Sequence, residues 1–372
     1  MIVLRRCRSA DGGPGTETKR AGRRLCMVDR DRDAVAVGKT QWAISSTAVL
    51  LLLSACARPP EAPNSALLPP TCPGKPGVAL AFAALQGEDR TDIFGLDAAG
   101  RAVQLTEGGL SDNPTFSPGG TEILFTRESE KRVAGEDPHR SLWLMDSDGY
   151  NERPLIADCY DELEMARYSP DGKTIALVGI IDPPQSEHRV FTMNADGTSI
   201  RQLSGDSGTS QPESDFAVAW SPDGENLAFM RLTGTQEKYI SQIWVADART
   251  GEERLVSEGD KNIGALSWSP AGDALLFTQV LNTIDDSVVV AVSLDLGSGE
   301  TSTLAEGVIS PVYSSANGSQ ILYWTQSSVD DAVVLELETT LSGVGRASSV
   351  VTTARVSPAS DLAIAACAVA TG

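Results

Sequence analysis

The sequence predicts an all-β protein: a six-bladed β-propeller of four-stranded antiparallel blades, with seven blades as the alternative. Three observations lead there. First, a short phrase returns six times, an apolar or aromatic residue followed by Ser-Pro or a degenerate of it: Phe116-Ser117-Pro118, Tyr168-Ser169-Pro170, Trp220-Ser221-Pro222, Trp268-Ser269-Pro270, Tyr313-Ser314-Ser315 and Val356-Ser357-Pro358. Its serines are 52, 52, 48, 45 and 43 residues apart, a period that suits propeller blades carrying several short strands each. Second, each phrase leads through a turn into a run of β-formers. Third, no extended helical periodicity follows the N-terminal segment.

The unit that opens at Tyr168 shows the plan. Met165–Ser169 is the first predicted strand, and Pro170-Asp171-Gly172-Lys173 is a turn. Thr174–Ile180 is the second strand, and Arg189–Asn194 alternates apolar and polar residues as a half-buried third strand does. Asn194-Ala195-Asp196-Gly197 turns again, and Ser199–Leu203 closes the unit. Gly supplies positive φ in such turns, while Asp and Asn bond their own backbone. Equivalent second strands start at Ile123, Leu227, Leu275 and Ile321. Third strands are expected over Leu142–Asp146, Gln242–Asp247, Val288–Leu294 and Ala332–Leu337.

These residues resemble a known group. The phrase aromatic-Ser-Pro-Asp-Gly, a strand, then Asp-x-x-Gly and an apolar ending is similar to the WD-repeat-like units of TolB-type propellers and of the propeller domains of prolyl-oligopeptidase-like peptidases. The resemblance covers roughly residues 78–369. Ser315 in place of Pro, and Ser360 where Gly would sit, depart from it. It implies a propeller and a scaffolding role. Peptidases of this kind also need an α/β-hydrolase domain, for which this sequence has no segment.

Closure is expected from the two ends. Val78–Ala83, Asp92–Asp97 and Val103–Thr106 lack an opening strand, and Ala354–Ala368 offers one and a second strand after it. Joining them makes one composite blade and removes exposed sheet edges. Seven blades would result if each end formed its own.

Composition bounds the function. The net charge is −20 and the sequence pI about 4.5. Ten Lys/Arg and five Asp/Glu precede Cys56, which leaves a balance of −25 for the rest. Such a domain is a poor ligand for a phosphate backbone, so no nucleic-acid partner is expected.

Trp42–Leu53 is apolar but short for a membrane span; Lys39 precedes it and Leu53-Ser54-Ala55-Cys56 follows. This resembles a bacterial lipoprotein signal, which implies cleavage before Cys56 and attachment of lipid, palmitate included, to that cysteine. Residues 1–55 are then a signal segment. Met27 stands at a more usual distance from the apolar run than Met1, so 1–26 are either part of the signal or outside the translated protein. Residues 56–77 form a tether rich in proline (Pro59, Pro60, Pro63, Pro69, Pro70, Pro73, Pro76), and 78–372 the propeller. At ~3 Å per residue the tether reaches up to roughly 60 Å from a membrane. The expected location is the extracytoplasmic face of a bacterial cell membrane. Of the remaining cysteines, Cys72 and Cys367 flank the closure and would staple it if bonded; the alternative is that these two and Cys159 are free or buried thiols.

The search for chemistry is mostly negative. Neither Gly-x-Ser-x-Gly nor His-Glu-x-x-His occurs. Gly205-Asp206-Ser207-Gly208 shares a phrase with serine peptidases but lacks the context of a triad. His139 and His188 each precede Arg and a third strand; repeat similarity explains them better than a shared metal, because facing sheets stand ~10 Å apart. Asp146-Ser147-Asp148-Gly149 starts like a calcium loop without its closing acid. The aromatics Phe116, Tyr168, Trp220, Trp268 and Tyr313 fit packing between blades. No catalytic residue, metal site or cofactor is therefore expected. What stands out is one face, where acidic loops and the long Glu128–His139 and Thr233–Tyr239 connections gather. Asp161, Glu162, Glu164, Glu213 and Asp215 are its candidate binding residues, suited to a basic protein or cell-envelope partner. The expectation is a lipid-anchored, non-catalytic binding or scaffold module; the alternatives are a propeller hydrolase or lyase, and a ligand sensor using the central channel.

Overall fold

The computed structural model describes residues between 77 and 364, apart from 130–138, 157–161, 182–186, 314–319, 349–362 and a number of shorter connecting stretches. The signal segment, the tether up to Pro76, Asp161 and the cysteines Cys56, Cys72, Cys159 and Cys367 lie outside the described residues.

The protein is an all-β propeller of four-stranded antiparallel blades. The N-terminal strands are β1 (Leu80–Leu85), β2 (Thr91–Leu96) and β3 (Ala102–Gln104). Five blades follow, each contiguous in sequence. Blade I comprises β4 (Ser111–Phe116), β5 (Glu122–Glu128), β6 (Arg140–Asp146) and β7 (Arg153–Pro154). Blade II comprises β8 (Glu162–Tyr168), β9 (Thr174–Ile180), β10 (Arg189–Asn194) and β11 (Arg201–Gln202). Blade III comprises β12 (Glu213–Trp220), β13 (Asn226–Thr235), β14 (Lys238–Asp247) and β15 (Glu253–Gly259). Blade IV comprises β16 (Ile263–Trp268), β17 (Ala274–Asn282), β18 (Ser287–Asp295) and β19 (Thr301–Glu306). Blade V comprises β20 (Val308–Tyr313), β21 (Gln320–Val329), β22 (Ala332–Leu341) and β23 (Val344–Ser348).

The expected count of six blades, with seven as the alternative, is corrected to five contiguous ones. The N-terminal region supplies only three strands, and β24 (Ala363–Ile364) completes their sheet by pairing Leu80 with Ile364 and Ala81 with Ala363. The partner of β1 is thus the segment expected as a second strand; the Ser-Pro strand around Val356 lies outside the described residues.

The repeated phrase has a physical cause. In each described turn the serine hydroxyl is the hub: Ser169 Oγ accepts from Thr174 N at 3.0 Å, and Ser221 Oγ from Asn226 N at 2.9 Å. The same hydroxyls donate to Asp171 and Asp223, whose carboxylates also accept the backbone N–H of Lys173 and Glu225. Gly172 and Gly224 close these turns at φ of 71° and 73°, the left-handed region that favours glycine. Each turn stacks on its predecessor, so that a Cβ on Gly172 would stand 3.5 Å from Pro118 Cδ and one on Gly224 3.5 Å from Pro170 Cδ.

The core lies between the blades. One buried cluster joins Val78, Ala81 and Ile93 to Phe116, Ile123 and Phe125 of blade I. Similar clusters join blades I and II, II and III, III and IV, and IV and V. The aromatic of the repeat serves this seam, as expected. Trp220 Nε1 donates to Arg167 O of blade II, and Trp268 Nε1 to Ala219 O of blade III, both at 3.0 Å. Asp146 and Asp148 accept hydrogen bonds inside their own turn, from Asn151 Nδ2 and Tyr150 N. The segment expected as a loop at Thr233–Tyr239 is instead largely strand, because β13 and β14 stay paired out to Thr235 and Lys238.

Candidate functional site at one end of the inner strands

The first strand of each blade is the innermost, and β24, β4, β8, β12, β16 and β20 succeed one another as neighbours. Of these, β4, β8, β12, β16 and β20 each contain a bulge. Asn113, Met165, Ala217 and Ala265 stand at the same repeat position with φ between 37° and 52°. A non-glycine residue in that region costs on the order of 1 kcal/mol or more, and such strain is stored where a side chain has to be aimed. The residue just before the bulge is Asp112, Glu164, Phe216 or Gly264 in blades I to IV.

In blade II this geometry collects charge. Glu162 and Glu164 are two apart on β8, and His188 immediately precedes β10 on the same blade. His188 Nε2 lies 3.2 Å from Glu162 Oε2. Arg140, at the start of β6 in blade I, makes an ion pair with Glu164. The side chains are mostly buried, with 21%, 15%, 18% and 26% exposure for Glu162, Glu164, His188 and Arg140. From blade III, Ser214 Oγ accepts from His188 N at 3.1 Å and stands 3.5 Å from His188 Nδ1. The Phe216 ring packs 5.6 Å from the imidazole. Gly179 makes room for this strand, since a Cβ there would meet Glu162 O at 2.4 Å.

The electrostatics separate the two carboxyls. The hydrogen bond from His188, against the cost of burial, takes Glu162 down to about 2. Burial pushes Glu164 up in spite of Arg140, and it pushes Asp112 up as well. One donor atom each from Glu162, Glu164 and His188 fall within 4.8 Å of one another, a spacing that can hold a metal ion.

The expected binding residues therefore divide. Glu162 and Glu164 belong to the cluster. Glu213 and Asp215 were expected on a solvent-facing loop; they are strand residues 3% and 0% exposed. Asp215 accepts from Arg231 Nε at 2.7 Å and Nη2 at 3.2 Å and from Ser204 Oγ. Arg231 is itself fully buried, lies 5.2 Å from the centroids of both Phe229 and Trp244, and also bonds Glu253. Arg127 repeats the arrangement in blade I with Phe125, Trp143 and Glu152. This is a structural clamp, in which Asp215 is buried against Arg231. Sequence reasoning missed Arg140 and Asp112, and it matched His139 to His188. By distance from the turns at Asp146 and Asn194, the residue equivalent to His188 is Arg140. That offset of one was the available signal. Two open grooves lie at the opposite end, one between blades II and III beside Trp220, the other between blades I and II beside Tyr168. They are lined by equivalent residues, so they mark the seam between blades.

Comparison with known proteins follows the architecture. No family model and no curated protein matches this sequence. Solved structures do. TolB from Acinetobacter baumannii matches with a TM-score of 0.55 at 16% identity, over 79% of this chain and 68% of that one. The fold is that of a TolB-like β-propeller. A protein assigned as TolB from Agrobacterium tumefaciens matches at 0.52 and 13%, over 76% and 95% of the two chains. The Nidogen/Laminin complex matches at 0.54 and 15%, over 77% and 97%. At these identities the TolB-like likeness is one of fold.

Proposed function

We propose that the protein is a lipid-anchored, extracytoplasmic TolB-like propeller that acts as a non-catalytic binding or scaffold module for a protein or cell-envelope component. The observation that carries the binding role is the gathering of Asp112, Arg140, Glu162, Glu164 and His188 at one end of the inner strands. The equivalent positions of Glu162 and Glu164 in blade III are Ser214 and Phe216, so the propeller repeat does not require charge there. The fold is consistent with such a role: nidogen, whose solved complex with laminin shares it, is a protein captured with a protein. A basic partner suits the excess of carboxylates, chiefly through faster encounter. The anchor is carried by Leu53-Ser54-Ala55-Cys56 and the proline-rich segment after it.

Cross-linking in intact cells with identification of the captured partner tests the role. Charge reversal at Glu162 and Glu164 should weaken capture, reversal at Asp171 and Asp223 should not, and wild-type capture should fall as salt rises. Loss confined to the Asp171 and Asp223 variants would move the site to the opposite end. An enzyme reading has one specific observation in its favour: two adjacent carboxyls whose surroundings push their proton affinities apart, an arrangement suited to acid–base work. Turnover of an envelope polymer or peptide that is lost in Glu164→Gln would establish it.

A further inference from the structure

We propose that Glu162, Glu164 and His188 form a binding site for one divalent transition-metal cation of the zinc or manganese class. Charge balance is the first argument. Asp112, Glu162 and Glu164 gather around Arg140 and His188, three carboxyl groups to two basic side chains. A dication offsets that excess of carboxyls. The donor set is the second. Two carboxylate oxygens and an imidazole nitrogen suit zinc and manganese, and three protein ligands leave positions open for water or a ligand.

Geometry is the third argument. The three donor atoms lie within 4.8 Å of one another, and the Glu162–His188 pair is already at 3.2 Å. Bonds of ~2.1 Å to a common ion need donors ~3–4 Å apart, which small rotations of the two glutamate side chains provide. The surroundings supply what metal ligands need around them. His188 turns Nε2 toward the carboxylates and Nδ1 toward Ser214 Oγ. A proton on Nδ1 donated to that hydroxyl leaves Nε2 free as ligand. Arg140 Nη1 holds Glu164 Oε1 in place.

The fourth argument comes from the repeat. Blade II departs from the clamp seen in blades I and III: Gly179 stands where they carry Arg127 and Arg231. That glycine admits the Glu162 backbone at a distance no side chain would allow. The positions equivalent to His188 in blades III and IV hold Ser241 and Val289. The three donors thus coincide in a single blade that has been modified to bring them together.

The test is independent of the anchor and of any partner. Chelator-treated full-length protein is titrated separately with MnCl2 and ZnCl2, by calorimetry and by thermal melting. One equivalent should bind and raise the melting temperature. Glu162→Gln and His188→Gln should each weaken binding at least tenfold, Ser214→Ala should weaken it less, and Asp171→Asn should leave it unchanged. Because the chain holds two histidines, one Mn2+ per chain should also broaden one imidazole NMR signal, assigned to His188 by its persistence in His139→Gln. That readout on the wild-type side chain stands even if a cluster variant fails to fold. Absence of binding by both cations overturns the proposal, as does unchanged binding in a folded Glu162 or His188 variant, or Mn2+ broadening that spares His188.

Discussion

At Asp215 a carboxylate with no solvent contact holds a guanidinium with none. Removing one partner of such a pair leaves a buried, uncompensated charge, at a cost of about 3–5 kcal/mol. Asp215→Ala is therefore expected to lower unfolding free energy by that order in urea titrations. A loss under 1 kcal/mol would mean that Glu253 alone satisfies Arg231. Glu162 behaves differently because it titrates. Its folded value of about 2 lies below the ordinary 4.5, so between them the unfolded chain binds the extra proton. The stability it contributes is present above about pH 4.5 and lost as pH falls toward 2. Glu164 and Asp112, both pushed up, act in the opposite sense, so the comparison has to be with a variant. Chelator-treated Glu162→Gln should lose less melting temperature than wild type between pH 5 and 2.5; parallel curves would contradict the assignment. From sequence, Glu162 and Asp215 were equals in an acidic rim. What separates them is a contact with a blade-III arginine in one case and a blade-II histidine in the other, and such contacts depend on register.

Among the elements, the second and third strands were the most legible. Thr174–Ile180 and Arg189–Asn194 are both strands with those bounds, because their apolar residues are buried between sheets and their turns are fixed by local hydrogen bonds. The inner strands were less so. Glu162 read as loop because a charge rarely opens a buried strand, and the bulge at Met165 shifts the alternation that would have revealed it. The hairpin of blade III runs on past its buried part, where exposed Thr235 carries no periodic signal. The repeated indole-to-carbonyl bond gives this scale its prediction. Trp220→Phe and Trp268→Phe keep an aromatic ring but remove the hydrogen bond across the seam, and each should cost about 1 kcal/mol. Trp268 bonds the carbonyl of the residue directly before Trp220, so the two sites adjoin, and the departure of a double variant from the sum measures their coupling. Wild-type stability in both would show that the rings alone hold the blades.

For the molecule as a whole, the period near 50 residues made the propeller readable, but the arithmetic of blades was not. Three strands at one end and two residues at the other make a sheet only through pairing across the whole chain, which no local pattern encodes. Deleting Ala354–Gly372 should bare β1 and lead to aggregation or a lower melting temperature; a truncated protein that melts as the full chain does would leave closure to some other contact. Fractionation of cells expressing wild-type protein or Cys56→Ala tests most directly the proposed propeller held at a membrane and presented to a partner. Wild type should sediment with membranes and be released by detergent, while Cys56→Ala should appear in the soluble or secreted fraction. The same distribution for both would contradict the anchor, and with it the reading of residues 56–77 as a tether.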